Sequence, residues 1–97
     1  MRVARQFQVI GRVQGVGFRY FVRDAALREG VTGWIRNRRD GTVEARLEGE
    51  EASVTRVERM LRQGPRGARV DTVTRDSDNP SGAFHTFTIT ESSEGHR

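Results

Sequence analysis

Gly15 and Gly17, with Arg19 two positions further on, sit in the stretch GRVQGVGFR at residues 11–19. Glycines at this spacing let the backbone turn tightly and aim successive amide N–H groups at one point. A helix that begins behind such a turn adds the positive end of its dipole. Arg19 contributes a planar, permanently charged fork that matches phosphate oxygens. The group reads as an anion cradle. A glycine-rich strand-to-helix turn carrying an ordinary surface arginine has the same local pattern, so the loop alone leaves both readings open. One local mismatch favours the cradle: a cation in a first helical turn is opposed by the dipole by about 0.3–1 kcal/mol, and a bound anion reverses that sign.

The rest of the composition narrows the chemistry such a site can perform. The chain has no cysteine, and all 17 of its basic side chains are arginine. Thiolate catalysis, disulfides, sulfur-ligated metals, Schiff bases and the lysine-bearing phosphate loop are therefore excluded. His85 and His96 lie far along the chain from the loop, as a surface or strand residue and a tail residue. What remains is water attacking an already activated phosphoryl group, where stabilising charge on the phosphoryl oxygens matters more than deprotonating the attacker. The run Asp76-Ser77-Asp78-Asn79 lacks the glycine and glutamate of a calcium loop and reads as a solvated turn, so no metal site is expected.

The elements that must position these residues follow from periodicity. Val3 to Val13 alternates, with Phe7, Val9 and Val13 on one side and Ile10 as the exception, which predicts a half-buried strand. Phe18, Phe21, Val22, Ala25 and Ala26 recur at helical spacing up to Gly30. Strands over 31–38 and 42–48 flank a tight turn at Arg39-Asp40-Gly41. In the second of these, Val43, Ala45 and Leu47 predict a buried face, while Glu44, Arg46 and Glu48 predict a wet one. A second helix over 50–63 carries Val54, Val57, Met60 and Leu61 inward, with Glu50-Glu51 at its start and Gly64-Pro65 at its end. Two weaker strands, near 68–75 and 84–90, are separated by the turn-rich SDNPSG, and 92–97 reads as a frayed tail. Tyr20, Phe21 and Trp34 read as core or strand-face aromatics rather than a ligand box.

This order predicts an α+β, ferredoxin-like split βαβ sandwich, with two helices on one face of a mainly antiparallel sheet of four to five strands. In that topology the first two strands run the same way with the third between them, so their C-terminal ends share one edge. Asn37 then converges on the glycine loop, and alternation sets it on the helix-covered side with Val31 and Ile35. Taken alone, Asn37 is better explained as a turn residue ahead of Asp40-Gly41, and only its convergence with the loop raises the other reading. At the mouth of an anion site its amide can hold a water, though it cannot act as a strong base.

The net charge of +4 admits an anionic partner, but the arginines are interleaved with 13 acids and read mostly as a mixed, solvated surface. No apolar run is long enough to span a bilayer, and MRVARQFQV lacks the apolar core of a secretory signal. A single domain over 1–91, cytoplasmic and without a membrane partner, is expected.

GRVQGVGFR at 11–19, followed by GWIRNRRDGTVEARLEG at 33–49, closely resembles the acylphosphatases. Their signatures, Gly-x-Val-Gln-Gly-Val-x-Phe-Arg and Gly-Trp-x-x-Asn-x-x-Asp-Gly-x-Val-Glu, are matched at every defining position. The likeness runs on through Gly64-Pro65 and Phe87-Thr88-Ile89. The resemblance implies hydrolysis of the carboxyl-phosphate anhydride of acyl phosphates, without metal, cofactor or covalent intermediate. It implies that the loop Gln14, Gly15, Val16, Gly17, Phe18 and Arg19 holds the phosphoryl group, or inorganic phosphate in its place. Asn37 would orient the water, with proton acceptance left largely to the substrate. A monomer is expected. The exclusive use of arginine departs from typical members but touches neither signature. Two rivals remain: a domain that keeps the anion site without turnover, and an RNA-binding module of the same element order. The second is opposed by the third strand, which carries no aromatic on which a base could stack.

Overall fold

The computed structural model describes residues 1–91; the tail expected at 92–97 lies outside the described residues. β1 (Arg2–Arg12) leads to α1 (Phe18–Glu29), β2 (Thr32–Asn37) and β3 (Val43–Glu50), followed by α2 (Glu51–Gln63), β4 (Arg69–Asp78) and β5 (Phe87–Ile89). The five strands form one sheet in the order β4-β1-β3-β2-β5. β1 and β2 each pair antiparallel with β3, which lies between them, so both run the same way and end at one edge. β4 adds to the outer side of β1 antiparallel, and the short β5 pairs parallel with β2.

Each helix is stopped by the glycine the sequence provides. Gly30 takes φ 69°, and its N–H reaches the carbonyls of Ala26 and Leu27. The N–H of Gly64, at φ 75°, reaches Met60 O at 2.8 Å. The α1 residues Phe18, Val22, Ala25 and Ala26 and the α2 residues Val54, Val57 and Leu61 are buried on Phe7, Val9, Ile35, Val43, Ala45 and Leu47 of the sheet. Burying each of the larger of these side chains stabilises the fold by about 1.5–3 kcal/mol, so one apolar layer between helices and sheet carries most of the stability.

The structure corrects four expectations. β4 continues to Asp78, absorbing part of the stretch read as a turn, and β5 is only three residues long. Asp76 and Asp78 are thus strand residues, and Asp78 accepts a hydrogen bond from Arg46 Nη1 at 3.0 Å. Tyr20 is not a core aromatic. It is 53 % exposed, with the Arg23 guanidinium over its ring at 5.1 Å.

Glu48 is the fourth correction: although it is on the sheet face away from the helices, none of it is exposed. The connection between β4 and β5 folds across it. Its carboxylate accepts from Arg46 Nε at 2.7 Å, the Ser81 hydroxyl at 2.8 Å, and the Ser81 and Gly82 amides at 3.0 and 3.2 Å. Burial pushes this carboxyl up, but the hydrogen bonds outweigh burial and hold it below the usual glutamate range. Alternation predicted the face correctly. It carries no information about a distant loop that covers that face.

Candidate active site

The anion cradle occupies the connection from β1 to α1. Residues 14–17 are bends, and among the described residues none of their backbone N–H groups donates to another backbone group outside the regular elements. Gly15 and Gly17 stand at φ 76° and 75°, and a Cβ at either would meet nothing within 4 Å. The requirement for glycine here is therefore conformational rather than spatial: a left-handed backbone costs other residues about 1–2 kcal/mol. Turned residues with free N–H groups are the kind of backbone from which anion-binding nests are built.

Helix α1 begins at Gly17 without a side-chain cap and without an acid in its first turn. Its first closing bond runs from Phe21 N to Gly17 O at 3.0 Å. The N–H groups before Phe21 are left for another acceptor, as at any uncapped helix start. Phe18 is 1 % exposed and belongs to the core, and Val16 packs against it, so what these two can offer an anion is backbone. Arg19 is half-buried, with no hydrogen bond or ion pair to any described residue. That sets it apart from Arg5, Arg36, Arg46 and Arg56, which are all in ion pairs at 2.9 Å or less.

Asn37 closes β2 on the same side as the buried Val31 and Ile35. Its Oδ1 is fully covered yet has no hydrogen-bond partner among the described residues. A buried acceptor left unpaired costs about 1–3 kcal/mol and persists where something outside the protein completes it. A water held there would be the donor that Oδ1 lacks.

Gln14 is tied to the Asn37 hairpin by a contact the sequence does not announce. Its Nε2 donates to Arg38 O at 2.7 Å and to Thr42 O at 2.9 Å. Arg38 N in turn donates to Thr42 O at 2.8 Å. Gln14 therefore fastens the cradle to the hairpin at the residue next to Asn37. Its side-chain donors are used in that clamp, which leaves its backbone for an anion. Nothing in the spacing of a single chain signals a bond between residues 14 and 38; a polar side chain inside a glycine loop is the one hint.

Asp40, in the hairpin turn, accepts from the Thr42 hydroxyl at 2.7 Å and the Thr42 amide at 3.0 Å. These bonds hold its carboxyl below the usual aspartate range. His85 is exposed and lies between β4 and β5, outside any strand. Among the described residues, the arrangement thus offers a tetrahedral oxyanion free backbone N–H groups and one unpaired guanidinium, on a loop that Gln14 ties to Arg38, the residue after an amide with a free acceptor.

A family model described as acylphosphatase matches residues 5–89. An acylphosphatase of Nitrobacter hamburgensis is 54 % identical over 71 residues, 73 % of this chain and 72 % of that protein. Another, of Anaeromyxobacter dehalogenans, is 47 % identical over 88 residues, 91 % of this chain and 95 % of its own length. The crystal structure of acylphosphatase from Bacillus subtilis superposes with a TM-score of 0.87 at 34 % identity, covering 91 % of this chain and 98 % of that one.

Proposed function

The chain belongs to the acylphosphatase family, and from that premise we propose how its loop and hairpin carry out the family's reaction. The enzyme hydrolyses acyl phosphates to a carboxylate and inorganic phosphate. In our reading the backbone of residues 14–19 and the Arg19 guanidinium hold the phosphoryl oxygens, and Asn37 holds the attacking water. A bond forms from the water oxygen to phosphorus as the bond from phosphorus to the acyl oxygen breaks. The electron pair leaves on a carboxylate, and the water protons pass to phosphate oxygens and solvent.

No strong base is required, because the leaving carboxylate is stable at neutral pH and the transition state is loose, with charge spread over the phosphoryl oxygens. Positioning and charge stabilisation then supply the rate. Arg19 and the N-terminus of α1 meet that charge where it lies, in a site whose donors are fixed before substrate arrives. One observation carries the reading: the buried, unpartnered Oδ1 of Asn37 at the end of the strand clamped to the cradle by Gln14.

We propose further that the chain acts as a cytoplasmic monomer. Among the described residues no helix is long and apolar enough to cross a membrane. The exposed edge strand β4 bears Arg69, Asp71, Arg75, Asp76 and Asp78, charges that oppose pairing with a second sheet.

Phosphate release from a simple acyl phosphate, measured with a metal chelator present, tests the enzymatic reading. Turnover that survives the chelator is the expected result. Release no faster than the uncatalysed rate would leave an anion-binding domain in its place.

A further inference from the structure

Glu58 lies on α2 with its side chain only 10 % exposed. A carboxylate withdrawn from water needs a close cation, and Arg5 provides one, with Nη1 at 2.9 Å and its own side chain 11 % exposed. Two further guanidinium groups are nevertheless drawn to the same carboxylate, Arg62 Nε at 3.0 Å and Arg75 Nη1 at 3.2 Å. Arg59 lines the same concavity and has no hydrogen bond or ion pair to a described residue. The other nearby acid, Glu51, reaches Arg5 at 3.7 Å.

Four guanidinium groups and the single carboxylate of Glu58 thus line a concavity of about 260 Å³, three of them paired with Glu58 and Arg59 without a partner among the described residues. They come from β1, α2 and β4, so the tertiary fold gathers them rather than any basic run in the chain. Arg5 is mostly covered, its side chain 11 % exposed, whereas Arg59, Arg62 and Arg75 are exposed. Each guanidinium has five N–H donors, and the contacts to Glu58 use only a few of them. The surplus is both charge and donors.

Glu58 also selects the shape of the ligand. Its fixed negative charge repels a small anion seated centrally over it. A chain of linked phosphates instead spreads its charge and engages exposed arginines on α2 and β4 together. We infer that this concavity binds a linear oligophosphate, the chemistry shared by free pyrophosphate or triphosphate and by the phosphate tail of a nucleotide. None of its lining residues belongs to the 14–19 loop or is Asn37, so the site is separate from the cradle and stands independently of the catalytic reading.

The test is a titration of the Arg19→Gln protein with pyrophosphate at low salt, followed by NMR of the arginine Nε–Hε groups. Saturable shifts at Arg59, Arg62 and Arg75 are expected. The affinity should fall about tenfold or more in Arg59→Gln/Arg62→Gln, which removes two charge-assisted contacts, and about threefold or more in Arg59→Gln alone, while staying within about twofold in Arg66→Gln, which removes one charge outside the concavity as Arg59→Gln removes one inside it. The parent protein, followed at the same resonances, gives an answer that does not depend on the Arg19 substitution. Parallel titrations with inorganic triphosphate and ATP, which match in phosphate number, distinguish the sources: equal affinity means the phosphate chain alone is read, and tighter binding of ATP means that a nucleotide is the ligand. With Arg19 intact, Arg59→Gln/Arg62→Gln should turn over acyl phosphate within about twofold of the parent. No saturable shift, shifts spread equally to Arg66, or undiminished binding by the double variant would overturn the inference.

Discussion

Neither helix start has a side-chain cap, but α1 starts at a left-handed glycine with no acid in its first turn and places there an arginine that has no partner among the described residues. Helix α2 starts directly from β3, with Glu51 in its first turn and the Glu51 amide bonded to Met1 O at 2.9 Å. Glu50 beside it takes the N-terminal ammonium at 3.1 Å. The positive end of α2 is thus met from within the protein, whereas that of α1 is left open and made more positive. An open helix end with a like charge beside it is locally unfavourable, and folds retain such mismatches where a ligand resolves them. Under the proposed function, the difference separates a helix start that serves stability from one that serves binding.

Substitutions at the open end should affect chemistry, and those at the closed end stability. The largest effect is expected for Arg19→Gln, which removes the one side-chain charge from the cradle. Acyl phosphate turnover should drop about 1000-fold or more, with inorganic phosphate no longer competing. Asn37→Ala comes next, at about 100-fold in kcat. Phosphate inhibition should survive it, because the cradle itself is untouched. Near-normal turnover in this variant would remove Asn37 from the reaction.

Gln14→Ala sharpens the comparison by loosening the cradle without touching its charge. Freeing the carbonyls of Arg38 and Thr42 from their donor should lower stability by about 1–3 kcal/mol. The kcat/KM value should fall about tenfold as the loop and Asn37 lose their fixed separation. Urea unfolding read beside the kinetics separates the two losses. The smallest effect belongs to the closed end, where Glu51→Gln should cost about 0.3–1 kcal/mol in the same unfolding assay and leave turnover within about twofold. A larger loss of activity there would erase the distinction between the two helix starts.

How far the sequence reaches can be judged residue by residue. The alternation through Phe7, Val9, Val43, Ala45 and Leu47 identifies the buried face of two strands, because a strand's side-chain period is fixed at two. Gly30 and Gly64 mark the ends of both helices for an equally local reason, a positive φ that glycine adopts freely: Gly30 closes its helix in the left-handed helical conformation, and Gly64 leaves its helix extended. The anion-ready loop is legible in the same way, since glycine spacing and the arginine after it are short-range features.

Glu48 and Glu58 are where local reading fails. Each is a charged residue that is nonetheless buried, Glu48 on a predicted wet strand face and Glu58 outside the apolar stripe predicted for its helix. Glu48 is covered by the Ser81–Gly82 connection and Glu58 by arginines from β1 and β4, at separations of 17 to 53 residues. Both carboxyls are held below the ordinary range, because burial, which would raise them, is outweighed by the hydrogen bonds that accompany it.

The sequence by itself determined the elements, their order and the chemistry available at the glycine loop, because propensity, periodicity and residue type act within a few positions along the chain. The tertiary structure alone decided that Gln14 clamps the loop to the Asn37 hairpin, that Asn37 keeps a buried acceptor without a partner among the described residues, and that three arginines meet on Glu58 with a fourth lining the same concavity. Those arrangements depend on which distant groups arrive at the same place, and the close packing of helices on the sheet fixes that only once the chain has folded.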